Sequence, residues 1–466
     1  MSSDITHAAV AADTLAVAPN WRREVCETLI LTIPIAGGLL AEMGMGVIDY
    51  KMAGELGDVA LGAASYGLQL IFTVMFWGMG AIAATGAVGA QAHGADDAAA
   101  VSRSMQQGFV MATLLSVPII GLLLIAREVL PYVEDDPEVV RQVRAIVLYG
   151  LGWVPLAFWF TVLRNFVTVM RRPTIVTVCA IAGLPLAVLL NYIFMYGNWG
   201  APAMGAAAVG MNGTIIAVLH LVMIVVYVQF VPRLRHYRVF SGLLSVNKEM
   251  MRELFHVGIP IALAYLFETG LFFVSTVLMG IISTQALAAH SVVLNVCAVS
   301  FMVPYALSQA ATVRVGYAVG AGQLRAARRA GDVAVALGIM WMLLAAAIMW
   351  FWPRLLTGFY LDSADPANQA AIVIAIELFV LAAIFQVVDG TQVTTQGALR
   401  GLKDTKVPMI ICGLGYWVFG LGSGVALAFL FDLGAIGLWY GLAIGLAVSA
   451  ALLLLRWRRL SARLVA

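Results

Sequence analysis

The chain is 466 residues long, 62% hydrophobic and only 11% charged, with a formal net charge of +2. That composition excludes a soluble globular protein, and with no basic block it offers no footing for nucleic acid. Apolar runs of span length recur almost end to end, so the expected class is an all-α polytopic membrane protein.

Residues 1–24 read as a cytoplasmic tail ending near Trp21-Arg22-Arg23, without the basic-then-apolar pattern of a cleaved leader. About twelve spans follow, over 29–49, 59–89, 105–126, 145–168, 174–196, 204–231, 256–283, 287–313, 331–352, 371–398, 408–431 and 434–455. Pro34, Pro155, Pro185, Pro260 and Pro304 fall inside them, which predicts kinks. Lysine and arginine crowd the tail and every second loop. The other loops hold only Lys51, Arg127, Arg141, Arg144 and Arg354, so both termini are expected in the cytoplasm. Cys26, Cys179, Cys297 and Cys412 show no metal or disulfide spacing.

The chain repeats itself. Ile33-Pro34-Ile35-Ala36 matches Ile259-Pro260-Ile261-Ala262, and at constant spacing Glu42 matches Glu268, Gly44 matches Gly270 and Gly54 matches Gly280. Ala60-Leu61, Ala63, Ser65 and Leu68 continue the match to Ala286-Leu287, Ala289, Ser291 and Leu294. After a short slip, Tyr132 with Asp136-Pro137 matches Tyr360 with Asp365-Pro366. Each half therefore holds about six spans. An even number keeps both halves in one orientation, which predicts two lobes related by an axis along the membrane normal. Their bounds are expected at 25–231 and 256–456, with a cytoplasmic linker over 232–255 and a tail over 457–466. Two such lobes can rock to expose a central site alternately to each face, the work of a transporter.

Polar groups inside the spans locate that site. Glu268 sits near the middle of a span, where an acid costs about 2.5–3.5 kcal/mol on insertion scales. Its helix face includes Ala264, Phe272 and Ser275. Asp389 opens a polar stripe with Gln392 and Gln396 at helical spacing, the pattern of a wet cavity or cation site. Asp49 lies two turns beyond Glu42 on one helix face, nearer the outer end, where an acid can also simply reach water. Gln69 and Asn295 occupy equivalent repeat positions, and Asn191 lies late in the fifth span. Mid-span amides either glue helices together or touch the cargo. His220, His256 and His290 lack metal spacing and read as packing residues. The chain has no phosphate-binding G-x-x-x-x-G-K-[ST], no H-E-x-x-H and no G-x-S-x-G, so ATP-driven or hydrolytic chemistry has no visible apparatus, and an ion gradient is left as the source of work.

Four segments carry a resemblance: MGMGVIDYKMAG, FETGLFFVSTVLMG, VRVGYAVGAG and QVVDGTQVTTQGALRGLKD. They resemble the corresponding parts of multidrug and toxic compound extrusion (MATE) transporters of the NorM-like branch, across essentially all twelve spans. The resemblance implies two six-helix lobes and export of organic cations, dyes or drugs against inward sodium or protons, with no cofactor. It implies that Glu268 and Asp389 form the cation site of the second lobe, open to Na+, that Asp49 is the first lobe's acid, and that Asn191 stands at a polar position often acidic in another branch. Phe385 departs from a common tyrosine, and Glu42 from a common neutral residue such as glutamine.

The resulting expectation is a monomeric antiporter of the bacterial-type inner membrane, enzymatically inactive, taking cationic or amphipathic small molecules. Glu268, Asp389, Asp49 and Glu42 would couple the ion. Asn191, Gln69, Asn295, Gln392, Gln396, Phe272 and Phe385 would meet substrate. Two alternatives stand beside it. A lipid-linked sugar flippase would want cavity arginines, for which Arg164 is the candidate. A membrane-embedded transferase would want an acid cluster at a loop edge, for which Asp135-Asp136 is the candidate.

Overall fold

The computed structural model describes residues 21–242 and 245–465. The tail expected over residues 1–24 thus lies mostly outside the described residues. Among the described residues eleven helices are long and apolar enough to cross a membrane, or twelve when one bent pair counts as a single span. In chain order they are α1 (Trp21–Gly54), α2 (Asp58–Gly94), α3 (Ala98–Val129), α4 (Pro137–Gly150 with Trp153–Val169), α5 (Thr174–Met195) and α6 (Ala208–Phe230). The second half supplies α7 (Lys248–Ile282), α8 (Thr284–Gly320), α9 (Leu324–Phe351), α10 (Gln369–Gly401), α11 (Lys406–Leu430) and α12 (Gly434–Val465).

Many of these helices outrun the expected spans, and mostly on the side that carries the arginines and lysines, called the basic side below. α7 begins at Lys248 inside the segment expected as linker, and α12 continues to Val465 through the segment expected as tail. Hydropathy stops at the first charge, but a helix does not. Outside the apolar zone its polar turns are held by ion pairs such as Lys403 to Glu253 (2.6 Å) and Arg456 to Asp404 (2.5 Å). The fourth span is bent by 45° between Gly150 and Trp153. Pro155 cannot donate to the preceding turn, and Gly150 and Gly152 sit so close to Ile71 and Thr214 that a Cβ would collide.

The repeat seen in the sequence recurs as matched local structure. Asp136 caps α4, accepting from the amides of Glu138 and Val139, with Pro137 at the first helical position. Asp365 caps the turn before α10 in the same way, accepting from Ala367 ahead of Pro366. On the basic side, Arg171 approaches Glu27 at 3.9 Å in the first half, and Lys403 meets the repeat-equivalent Glu253 in the second.

Among the described residues two large apolar cores form, one from Ala53 to Tyr265 with Val313 added, the other from Leu271 to Trp457, beside two small clusters around Ile35 and Leu190. The border between them runs through α7, whose basic-side half contributes Leu254, Val257 and Ile261 to the first core. The lobes therefore meet along a seam of α1, α2, α7 and α8. At its basic end α2 and α8 cross in closest contact. A Cβ on Gly94 would lie 1.9 Å from the Tyr317 carbonyl oxygen, and one on the repeat-equivalent Gly320 would lie 1.9 Å from that of Gln91. Gln91 Nε2 also donates to the Gly401 carbonyl (2.8 Å). Beside the crossing, Arg314 of α8, only 7% exposed, donates to Thr28 Oγ1 (2.5 Å), the Glu24 carbonyl (2.9 Å) and the Glu24 carboxylate (2.5 Å) of α1. Nearer mid-span, Trp77 Nε1 donates to Thr269 Oγ1 (3.2 Å) across the same seam.

Gly94→Ala or Gly320→Ala should open the basic side. A methyl forced into a tight contact costs about 1–3 kcal/mol, enough to shift a two-state population severalfold or more. Spin labels at Ala99→Cys and Arg325→Cys, in a background lacking exposed Cys26, should then report a longer distance population that the parent protein lacks.

Candidate ion and substrate site

In the second lobe α10 turns one polar face inward. Asp389, Gln392, Gln396 and Arg400 follow at three- and four-residue intervals and are all at least nine-tenths buried. The expected stripe of three is thus a stripe of four. Arg400 is not a loop residue but the cationic end of the row, at 6% exposure. Its guanidinium donates to Gln396 Oε1 (2.8 Å) and to Tyr265 Oη (3.1 Å), and its plane lies over the Tyr265 ring. Gln396 Nε2 donates to Cys412 Sγ (3.0 Å), and Gln392 Nε2 to Tyr416 Oη (2.5 Å). Every amide in the stripe is therefore engaged by α7 or α11 or by its own helix, as burial in an apolar medium requires.

The two acids of this lobe come together. Glu268 on α7, half-buried, lies within electrostatic reach of Asp389, and both act on the Tyr416 hydroxyl. Among the described residues no protein group donates a hydrogen bond to either carboxylate. Two unpartnered carboxylates that feel one another's charge favour sharing a proton or holding a cation between them. Among the described residues no cluster of three or more histidine, cysteine or acidic side chains converges, so a cation here would rest on this pair and on neutral oxygens.

Phe385 and Phe272 lie behind the pair. Their rings meet edge to face at 6.3 Å, and Phe385, 1% exposed, also packs against Trp439 at 5.6 Å. Trp439 Nε1 donates to His290 Nδ1 (3.1 Å), and the other ring nitrogen meets Thr276 Oγ1 (3.3 Å). Phe385 is a core residue in this state, and His290 serves packing, as its lack of metal spacing implies. His220 likewise packs, against the Phe160 ring at 5.6 Å.

The first lobe is wired differently. Asn191 opens a π-helical turn (Asn191–Met195) at the end of α5, a local widening frequent at functional sites. Fully buried, it donates through Nδ2 to Asp49 Oδ1 (2.7 Å) and accepts at Oδ1 from Asn212 Nδ2 (2.5 Å). Asn191 thus positions Asp49, and Asn212 positions Asn191. Sequence reading missed Asn212, a lone asparagine in a mostly apolar span. Glu42 is half-buried and within electrostatic reach of Arg164 on α4, with no hydrogen bond to its carboxylate among the described residues. Gln69 and Asn295 are both exposed and bond within their own helices, Gln69 to Thr73 Oγ1 (3.2 Å) and Asn295 to the Ser291 carbonyl (2.8 Å). The structure keeps them apart from the buried acids. Asp136, half of the acid pair considered for a transferase, is spent on its helix cap.

Two six-helix lobes with acids inside each define a membrane transporter. A family model described as MatE matches residues 34–193 and 260–426, one match in each lobe. The chain is 38% identical over 457 residues to a probable multidrug resistance protein NorM of Mesorhizobium japonicum, covering 96% of this chain and 97% of the relative. It is 35% identical over 460 residues to a multidrug resistance protein NorM of Burkholderia vietnamiensis, covering 97% and 98%. Its fold is that of the crystal structure of the eukaryotic MATE transporter AtDTX14, with a TM-score of 0.85 at 19% identity, over 95% of this chain and 98% of that one. The chain belongs to the MATE family, in its NorM-like branch.

Asn191→Leu should lower the thermal unfolding midpoint by several degrees, because it strands Asp49 and Asn212 together, at about 1–3 kcal/mol for each buried group. Asn295→Leu, which removes only a bond within one exposed helix face, should leave the midpoint nearly unchanged in the same detergent.

Proposed function

We propose that the protein is a multidrug efflux antiporter that exports organic cations or amphipathic drugs in exchange for inward sodium or protons. The observation that carries this reading is the Glu268–Asp389 pair: a half-buried and a buried carboxylate that feel one another's charge in one lobe, given no hydrogen bond among the described residues. The names of the bacterial relatives support the substrate class, and the arginine-rich side supports a cytoplasmic placement of both termini in an inner membrane. With the lobes shut on that side, an ion arriving from outside would reach the pair, neutralise it and weaken the hold on a cationic substrate, which then leaves outward. Return through the inward-open state would release the ion to the cytoplasm. Asp49, held by Asn191, and Glu42 form the second acidic locus. Phe272, with Gln69 and Asn295 on the exposed faces of α2 and α8, would meet the substrate, and the protein would work as a monomer.

A lipid-linked sugar flippase is the second reading, favoured by one observation: Arg164 and Arg400 line the same cavity. Weighing against it, Arg400 is already bonded to Gln396 and Tyr265, and the cavity of about 40 Å³ has no room for a pyrophosphate in this state.

Proteoliposomes loaded with an organic dye and given a sodium or a proton gradient separately decide the coupling. One gradient should drive export, and Glu268→Gln and Asp389→Asn should each reduce it to near the rate of empty vesicles. Full-rate export by both variants would sink the assignment.

A further inference from the structure

The cavity between the lobes has a composition that the antiport reading does not use. Arg164 of α4 lines it from the first lobe, and Tyr265, Tyr305, Gln309 and Arg400 from the second. No acid is among its lining residues. A volume of about 40 Å³ holds roughly two or three waters, or one small ion with part of its shell.

The wall is rich in donors that lack acceptors. The Arg164 guanidinium makes no hydrogen bond or ion pair among the described residues, and its Nε is buried without a partner. Gln309 Nε2 is buried without an acceptor as well. Tyr265 and Tyr305 share a single hydroxyl contact (3.3 Å), so one of their two protons stays unused. Glu42 acts on Arg164 and Glu268 acts on Arg400, each at a distance. Neither acid reaches the wall. Water would satisfy the donors but bring no negative charge into direct contact with the two guanidinium groups, whose acids act on them only across a gap.

We propose that this cavity binds a small inorganic anion of the halide class, held by Arg164, the Gln309 amide and a tyrosine hydroxyl. Because its walls come from both lobes, parting the seam dismantles the site. A bound anion therefore stabilises the state closed on the basic side, by its differential affinity for that state.

The test uses the full-length protein in detergent, without dye or gradient, so its outcome is independent of the antiport reading. Thermal unfolding is followed in sodium chloride and in sodium gluconate at equal ionic strength. Chloride should raise the midpoint by a few degrees in a saturable way, as a ligand of the folded state does. Gln309→Leu and Arg164→Gln should each remove the difference, and crystals grown in bromide should show an anomalous peak in the cavity. Should Arg164→Gln fail to fold, Gln309→Leu alone decides. Identical midpoints in the two salts for the parent protein, or an undiminished chloride effect in the variants that fold, overturns the proposal.

Discussion

Charge inside hydrocarbon is the constraint that orders this molecule, since a carboxylate or guanidinium at mid-membrane costs about 2.5–3.5 kcal/mol on insertion scales and more in isolation. Each lobe meets it with an acid on its first helix and an arginine on its fourth, Glu42 with Arg164 and Glu268 with Arg400. In neither case do the partners form a direct ion pair among the described residues. A bonded pair would hold the acid permanently ionised and committed. Attraction across a gap softens the cost of burial and leaves the carboxylate uncommitted, as the proposed exchange of a proton or cation requires.

The polar stripe of α10 joins that acid chemistry to the seam. From Asp389 the row runs through Gln392 and Gln396 to Arg400, and from there through Tyr265 to Tyr305 on α8. Tyr265 itself fills the space against Gly80 of the other lobe. The bonded path to the surface where the lobes meet thus begins at Gln392, through Cys412 to Gln396 and on, and the acids act on it only by their charge. Arg314 fastens the same surface from the opposite flank by reaching the first turns of α1.

Much of this was legible in the sequence because it rests on periodicity and on the expense of buried charge. The two-lobe repeat, the run of helices, Glu268 with Asp389, and the start of the α10 stripe all follow from those two signals. Arg400 was hidden because a hydropathy window ends where an arginine begins, so it read as a loop cation although its helix carries it into the seam. Asn212 was hidden because one amide in an apolar helix looks the same whether it faces a neighbour or a ligand. Asn191 was found, but as a substrate contact; only the fold brings Asp49 and Asn212 to its two ends. The equivalence of Gln69 and Asn295 was real as a repeat and says nothing of depth, which packing alone settles.

The glycines at the α2–α8 crossing lie on the molecule's own axis of pseudo-symmetry, where each half touches the other's copy of the same segment. A duplicated gene can drift freely wherever its two copies face different surroundings. On the axis it cannot, because a substitution in either copy is met by the partner it came from. That explains how Glu42 and Glu268 could acquire unlike neighbours, and how Arg314 could arise opposite a valine at the equivalent Val88, while Gly94 and Gly320 remained identical. The crossing is the place where the two halves are obliged to match.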